Sequence, residues 1–315
     1  PGAVQLDIAR AKGYPDYKFA DNYKQFDWME EMHYLYRTDF AKPELGADQP
    51  LWFVSRGIDY QFEIPFNVAR IHSQEGMFTY VELDLTPRLK AENRIERLIQ
   101  PVPKRFPEPA DRTQASNIAK PPVSYEWDWH PRLVPLGIWD ETHLEIRQRS
   151  HIDDVHIDYE LSGDFSLARI ALRAWGHAED GARYRWRLTA HDGQTVLASE
   201  GTMTDELCAP GLTLQSPRLW WPHDHGTPYL YGSEFTLLDG DGNTIQTVTE
   251  SVGFRRVKLI MNEGAWDEFP DRWPKSRSCP PAQFEINGRR IFAKGSNWVN
   301  HEIFPGKITE ERYRE

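Results

Sequence analysis

Residues 184–200 read Tyr184-Arg185-Trp186-Arg187-Leu188-Thr189-Ala190, His191-Asp192-Gly193-Gln194, Thr195-Val196-Leu197-Ala198-Ser199-Glu200. Large apolar residues alternate with charged or polar ones, the period of a strand with one buried face. Asp192-Gly193 is a pair that tight hairpin turns favour, because Asp and Gly tolerate positive φ. The stretch therefore predicts an antiparallel hairpin. The same alternation runs outward through residues 152–161 and 166–175, and through 229–238 and 244–251. The last two are joined by Asp239-Gly240-Asp241-Gly242. Roughly seven short strands in about 100 residues is the count of an immunoglobulin-like β-sandwich, and it is expected over residues 151–260.

Upstream, residues 4–11 suit one short helix. Residues 35–40, 51–54, 60–66, 77–85 and 94–101 suit short strands. This spacing without long helices predicts a second antiparallel sandwich over residues 1–150. Residues 101–123 hold Pro101, Pro103, Pro107, Pro109, Pro121 and Pro122 and read as a long functional loop. Downstream, residues 261–283 read as a linker. Residues 284–292 suit a hairpin turning at Asn287-Gly288, and residues 293–299 suit a further strand. Thr309 is a natural helix N-cap with Glu310 and Glu311 in the first turn.

Composition narrows the function. The net charge of −11 argues against nucleic-acid or anionic-membrane partners. No run approaches the ~20 apolar residues of a membrane helix. Aromatic residues make up 13% of the chain, with 12 Trp, which suits β-sandwiches and carbohydrate surfaces. Cys208 and Cys279 fall in different segments and are expected to be free thiols. No Cys/His spacing suggests zinc, and no cofactor is implied. The His223-Asp224-His225 stretch and the group His151, Asp153, Asp154 and His156 are expected to face solvent rather than hold a metal. Residues 1–7 lack the basic and apolar regions of a signal peptide. They read as mid-domain sequence, so the start of the gene is expected upstream. A cytoplasmic, periplasmic or secreted location stays open.

Trp127-Asp128-Trp129-His130-Pro131-Arg132 carries the clearest chemistry. Sugars bind where an apolar ring face lies on an aromatic plane and a fixed carboxylate accepts hydroxyl protons. The structural alternative is a pair of packed rings with Asp128 capping a turn, and on these residues alone it has the edge. Strand alternation predicts that only one of the two rings faces a ligand. Arg132 is expected to pair with Asp128 or with an acid at a domain interface.

Five stretches together resemble glycoside hydrolase family 2, in its β-mannosidase-like branch. They are residues 1–7, Asp21-Asn22, residues 127–133 with Gly137-Ile138-Trp139, Leu219-Trp220-Trp221-Pro222, and Lys294-Gly295-Ser296-Asn297-Trp298-Val299 through Phe304-Pro305-Gly306. Their order spans nearly the whole chain. The resemblance implies a mainly β fold: a jelly-roll sugar-binding sandwich, an immunoglobulin-like sandwich, and the first strand of a TIM barrel begun at residues 284–315 and truncated there. Three positions depart from the family pattern. His130 stands where Gly is usual, Asn67-Val68-Ala69 replaces an Asn-Gly turn, and Asn300-His301-Glu302 replaces Pro-Ala-Asp.

Retaining chemistry of this family implies an acid/base and a nucleophile glutamate about 5–5.5 Å apart. Both would sit at the ends of later barrel strands. No Asn-Glu pair follows residue 299, so neither catalytic carboxylate is expected here, and the chain alone is expected to be inactive. Its expected part is to shape the sugar subsite and brace the rest of the barrel. With the resemblance added, Trp127, Asp128, Trp129, Asn297, Trp298 and Glu302 are the expected substrate-binding residues. A terminal β-linked sugar, with mannoside favoured, is the expected ligand. Assembly with a second copy stays open. The rival reading is a free-standing carbohydrate-binding or structural module without a barrel.

Overall fold

The computed structural model describes residues 2–46, 49–264, 282–299 and 302–314. The chain divides into two compact units, Pro1–Arg147 with Trp298–Glu315, and Gln148–Asn297.

The first unit opens with α1 (Val4–Lys12) and a 3-10 helix, Asn22–Glu31. Nine strands follow: β1 (Tyr34–Ala41), β2 (Leu51–Ser55), β3 (Ile58–Asp59), β4 (Gln61–Phe66), β5 (Ala69–Glu75), β6 (Val81–Asp84), β7 (Glu92–Ile99), β8 (Gly137–Ile138) and β9 (Thr142–Ile146). One antiparallel sheet has the order β1-β7-β4-β5 and another β6-β2-β9, while β3 pairs with β8. Phe62, Ile64 and Phe66 of β4 alternate inward, and Ile95 and Ile99 of β7 join them. Leu51 and Phe53 of β2 and Val81 of β6 belong to the same core. This is the one-face burial that antiparallel sandwiches use. Strand β5 escapes a reading by hydrophobicity because it is a polar edge strand, Ala-Arg-Ile-His-Ser-Gln-Glu.

The second unit holds β10 (His151–Leu161), β11 (Leu167–His177), β12 (Arg183–Thr189), β13 (Thr195–Thr202), β14 (Glu206–Gln215), β15 (Tyr231–Leu238) and β16 (Thr244–Val252). Their sheets run β10-β11-β14 and β13-β12-β15-β16. Trp186 is fully buried and donates from Nε1 to Ser233 Oγ at 2.9 Å. Tyr184 stacks on Phe235 at 5.6 Å. Strand β14 carries Pro210 and Gly211, which read as breakers in the sequence. It is an edge strand whose register shifts opposite residues 170–172, and Gly211 takes φ 87°. Pro and Gly are tolerated at an edge bulge.

A third sheet in this unit joins β17 (Val257–Met261) to the hairpin β18 (Ala282–Ile286) and β19 (Arg289–Ile291). Asn287 and Gly288 form its turn with φ 49° and 80°, as the sequence predicts. Asn287 Nδ2 donates to Trp220 O at 2.9 Å, and the Arg289 guanidinium lies over Trp221. Leu219-Trp220-Trp221-Pro222 thus meets this hairpin within its own unit. The expected linker starts and ends inside strands, at Met261 and at Ala282; Cys279 lies outside the described residues, and Cys208 is free and exposed.

The expected strand at residues 293–299 is not formed: the described residues 292–299 carry no ladder. A parallel barrel strand is stable only between neighbours with both faces covered. Residues 302–307 instead pack onto the first unit. Phe304 is fully buried beside Tyr17, Phe26, Met29 and Leu133. Gly306 lies so close to Trp139 O that a Cβ there would sit 2.1 Å from it. A second helix, α2 (Glu310–Arg314), begins as expected, with Arg312 N–H donating to Thr309 Oγ1 at 3.3 Å.

The β4–β5 hairpin turns at Asn67 and Val68, with φ 47° and 69°. Asn tolerates this region, but a β-branched residue does not. Asn67 is held by Arg88 O, Asn93 Oδ1 and the Arg94 amide, while Val68 is 93% exposed and gains no packing. Relief of left-handed strain, about 1–2 kcal/mol, exceeds the extra chain entropy of glycine. Val68→Gly is therefore expected to stabilise the first unit by about 1 kcal/mol. Denaturant unfolding of the two proteins checks this, and a loss of stability would contradict it.

Candidate functional site

The long loop leaves β7 at its Ile99 end and returns at β8. Burial of charge holds it at two places. Glu30, at the end of the 3-10 helix, accepts from Arg132 Nε at 3.0 Å and from Arg132 Nη2 at 2.7 Å. Arg132 Nη2 also donates to Gln114 Oε1 at 2.7 Å, and Nη1 to Tyr125 O at 3.3 Å. Lys104 adds an ion pair to Glu30 at 3.3 Å. Of the two partners expected for Arg132, Asp128 or another acid, the structure gives another acid, Glu30. The fork geometry of Arg132 suits a carboxylate approached from two directions, and Glu30 offers both oxygens.

Lys120 and Asp59 make the second anchor, each side chain 1% exposed. Lys120 Nζ donates to Asp59 Oδ2 and to Pro135 O, the latter at 2.7 Å. Among the described residues no donor reaches Asp59 Oδ1. Burial raises the Asp59 carboxyl pKa and lowers that of Lys120, against the attraction between them. Tyr60 Oη accepts the Ala119 amide, and Tyr125 Oη donates to Pro103 O at 2.6 Å.

Between these anchors Trp127-Asp128-Trp129-His130 forms a tight turn, not a strand. Trp127 N–H donates to His130 O at 3.0 Å, and His130 N–H to Trp127 O at 3.2 Å. Strand alternation consequently does not sort the two rings. They touch, with centroids 5.0 Å apart and planes tilted by 44°. The Arg112 guanidinium lies 3.6 Å from the centre of Trp127, a close cation–π contact. Trp129 is 55% exposed, and Asp128 is exposed beside it. His130 is half-buried, with Nδ1 2.7 Å from Pro131 O. Burial lowers its pKa, opposed by the Pro131 carbonyl, so the ring is neutral at neutral pH. The turn can offer an aromatic face, an acceptor carboxylate and a neutral imidazole. A groove of about 420 Å³ lined by Asp39, Asn67, Val68, Lys90 and Arg94 opens at the other end of β7, away from this turn.

The remaining expected residues separate. Asn297 is exposed and belongs to the second unit. Trp298 is 69% exposed and stacks on Tyr313 at 6.3 Å. Glu302 has an 8% exposed side chain and serves the packing of the first unit. It accepts from Tyr17 Oη at 2.5 Å and from the Ile303 amide at 2.8 Å, and it pairs with Lys18 at 2.7 Å. His151 is also no solvent-facing residue, its side chain being 14% exposed beside Asp153.

Glu30, Arg112, Gln114 and Lys120 were not singled out from the sequence. The contacts of Glu30 and Gln114 with Arg132, of Arg112 with Trp127 and of Lys120 with Asp59 and Pro135 span 15–102 positions, and no local spacing encodes such pairs. The one signal was indirect: a proline-rich loop next to a candidate site needs something to fix it.

Comparison with known proteins places both units. A family model described as "Glycosyl hydrolase 2 galactose-binding domain-like" matches residues 1–140, and one described as "Glycosyl hydrolases family 2" matches residues 150–255. β-Mannosidase B of Aspergillus oryzae is 28% identical over 91% of this chain and 34% of the relative. β-Mannosidase B of Thermothelomyces thermophilus is 28% identical over 99% of the chain and 37% of the relative. The chain thus spans about a third of the length of these relatives. The crystal structure of a β-D-mannosidase from Dictyoglomus thermophilum superposes with a TM-score of 0.80 at 26% identity, covering 100% of this chain and 39% of that one. A Bacteroides uniformis β-glucuronidase shares the fold at 18% identity, with a TM-score of 0.61 over 89% of this chain and 32% of its own.

Glu302 gives a pH test of the tail contact. Burial alone would raise its pKa, but Lys18, Tyr17 and the Phe304 amide outweigh it and the net shift is downward. A depressed carboxylate pKa stabilises the packed tail above the ordinary glutamate value and loses that contribution as pH falls through the depressed value. The Phe304 amide resonance is expected to hold its position at neutral pH and to move in a single acid transition below the ordinary glutamate range. Glu302→Gln should abolish the transition. A transition at or above the ordinary value would contradict the assignment.

Proposed function

The chain belongs to glycoside hydrolase family 2, and from that premise we propose that it is the non-catalytic N-terminal portion of a retaining, exo-acting β-glycosidase acting on terminal β-mannosides. The observation that carries the reading is the anchored Trp127–His130 turn, with its exposed carboxylate between two tryptophans. Support for mannoside comes from the β-mannosidases to which the chain is similar.

In this reading the sugar lays its C–H face on Trp129, while Arg112 braces Trp127 behind it. Asp128 accepts hydrogen bonds from sugar hydroxyls, and charge assistance makes these stronger than neutral ones. The turn is fixed by its own two hydrogen bonds and by the loop anchors, so little freedom is lost when sugar binds. Trp298 adds an aromatic contact from the segment entering the barrel. Glu302 acts one step back, by holding the backbone that follows it. The acid/base and nucleophile come from the barrel that completes the enzyme.

The test compares this chain with a polypeptide continuing through the barrel. Only the longer form is expected to hydrolyse aryl β-glycosides, fastest on the mannoside and with retention. In it, Asp128→Asn should lower kcat/KM by roughly ten- to a hundredfold, the loss of about 1.5–3 kcal/mol for a charged hydrogen bond. Turnover by the 315-residue chain, or undiminished mannoside hydrolysis by Asp128→Asn, would overturn the reading. Inactivity of both forms would favour a carbohydrate-binding or structural role.

A further inference from the structure

We propose that Glu30 is the positioning residue of the Trp127–Trp129 turn, acting through Arg132 from a helix almost a hundred positions upstream. This rests on the reading of that turn as part of a sugar site.

Glu30 occupies the penultimate position of the 3-10 helix Asn22–Glu31 and is 7% exposed. A carboxylate so placed costs several kcal/mol to desolvate unless its oxygens are engaged. Both are. Oε1 accepts from Arg132 Nε, and Oε2 accepts from Arg132 Nη2 and faces Lys104. The backbone of the same residue takes part, since Glu30 O accepts the Val102 amide at 2.8 Å, at the first residues of the loop. Glu30 therefore grips the loop at its start through Val102 and Lys104, and near its end through Arg132.

Arg132 passes this grip inward. It reaches Gln114 Oε1, whose Nε2 donates to Pro107 O at 2.9 Å and whose backbone O accepts the Arg105 amide at 2.8 Å. It also reaches Tyr125 O, two residues before the turn begins. The segment from Tyr125 to Arg132 is thus closed at both ends by one guanidinium, and the Trp127–His130 turn is the loop's projection between those ends. Arg112, on the 3-10 segment Arg112–Ala115 that contains Gln114, lies over Trp127. One carboxylate thereby orients the guanidinium that fixes the turn and the segment that carries its brace.

Amide hydrogen exchange with Glu30→Gln in the 315-residue chain tests this. Glutamine keeps the shape and removes the charge. The Trp127 and His130 amides, and the Trp127 and Trp129 indole resonances, report on the turn. Exchange at the two amides is expected to speed up at least tenfold, with both indole signals shifting toward free positions, while strands β12 and β15 keep their protection. Arg132→Lys retains the charge and loses the fork. It should give a smaller acceleration of the same amides, and it serves if Glu30→Gln fails to fold. An unchanged turn in either folded variant overturns the proposal, as does an acceleration spread evenly over the first unit. In the polypeptide that includes the barrel, Glu30→Gln should raise KM for the mannoside more than it lowers kcat. A loosened turn with unchanged mannoside kinetics would uphold the positioning role and sink the sugar-site reading beneath it.

Discussion

Buried charge on the loop between β7 and β8 is the constraint on which the candidate site depends. This loop is too long and too rich in proline to be held by a ladder. Its order comes from Glu30 with Arg132 and from Asp59 with Lys120. Such pairs are poor sources of net stability, because desolvation offsets most of their attraction. Losing one partner is costly, however, because it leaves the other charge buried and unmatched. The Trp127–His130 turn sits between these two pairs and is closed by its own two hydrogen bonds.

The sandwich cores play a different part. Trp186, Phe235 and Leu188 in the second unit, and Phe62, Ile64 and Phe66 in the first, supply nonspecific burial at roughly 25 cal/mol per Å² of apolar surface. The first unit's core fixes which faces of its own strands turn inward, and so where β7 ends and β8 begins. The site is built on those ends. Phe304 extends the same logic to the tail, where a single buried ring and the Glu302 carboxylate seat residues 302–307 on the first unit.

Much of this was legible in the sequence. Alternation in residues 184–190, with Asp192-Gly193 after it, reads as β12 and β13, and the register pairs Trp186 with Ser199 across that hairpin. Asn287-Gly288 and Thr309 carry their turn and cap locally. What could not be read depends on distant partners or on missing neighbours. Strand β14 hides behind Pro210 and Gly211, because only an edge position makes them acceptable. Residues 293–299 stand where a strand is expected after the hairpin, but no described strand pairs with them. Trp127 and Trp129 could be chosen as candidates by residue type, yet their turn geometry, the Arg112 brace and the Glu30 anchor arise from contacts across the fold. Residue type and place put Glu302 among the site candidates, but its carboxylate is taken up by Tyr17, Lys18 and the Ile303 amide.

In the proposed reading the Trp127–His130 turn is a sugar-contacting edge supplied to a catalytic barrel. Crystallography of the barrel-containing polypeptide with a bound non-hydrolysable mannoside tests it most directly. An Asp128 carboxylate oxygen is expected within hydrogen-bonding distance, about 2.5–3.0 Å, of a sugar hydroxyl, with the sugar's apolar face against a tryptophan of the turn. A bound mannoside whose contacts come entirely from the barrel, with Asp128 facing solvent, would contradict it.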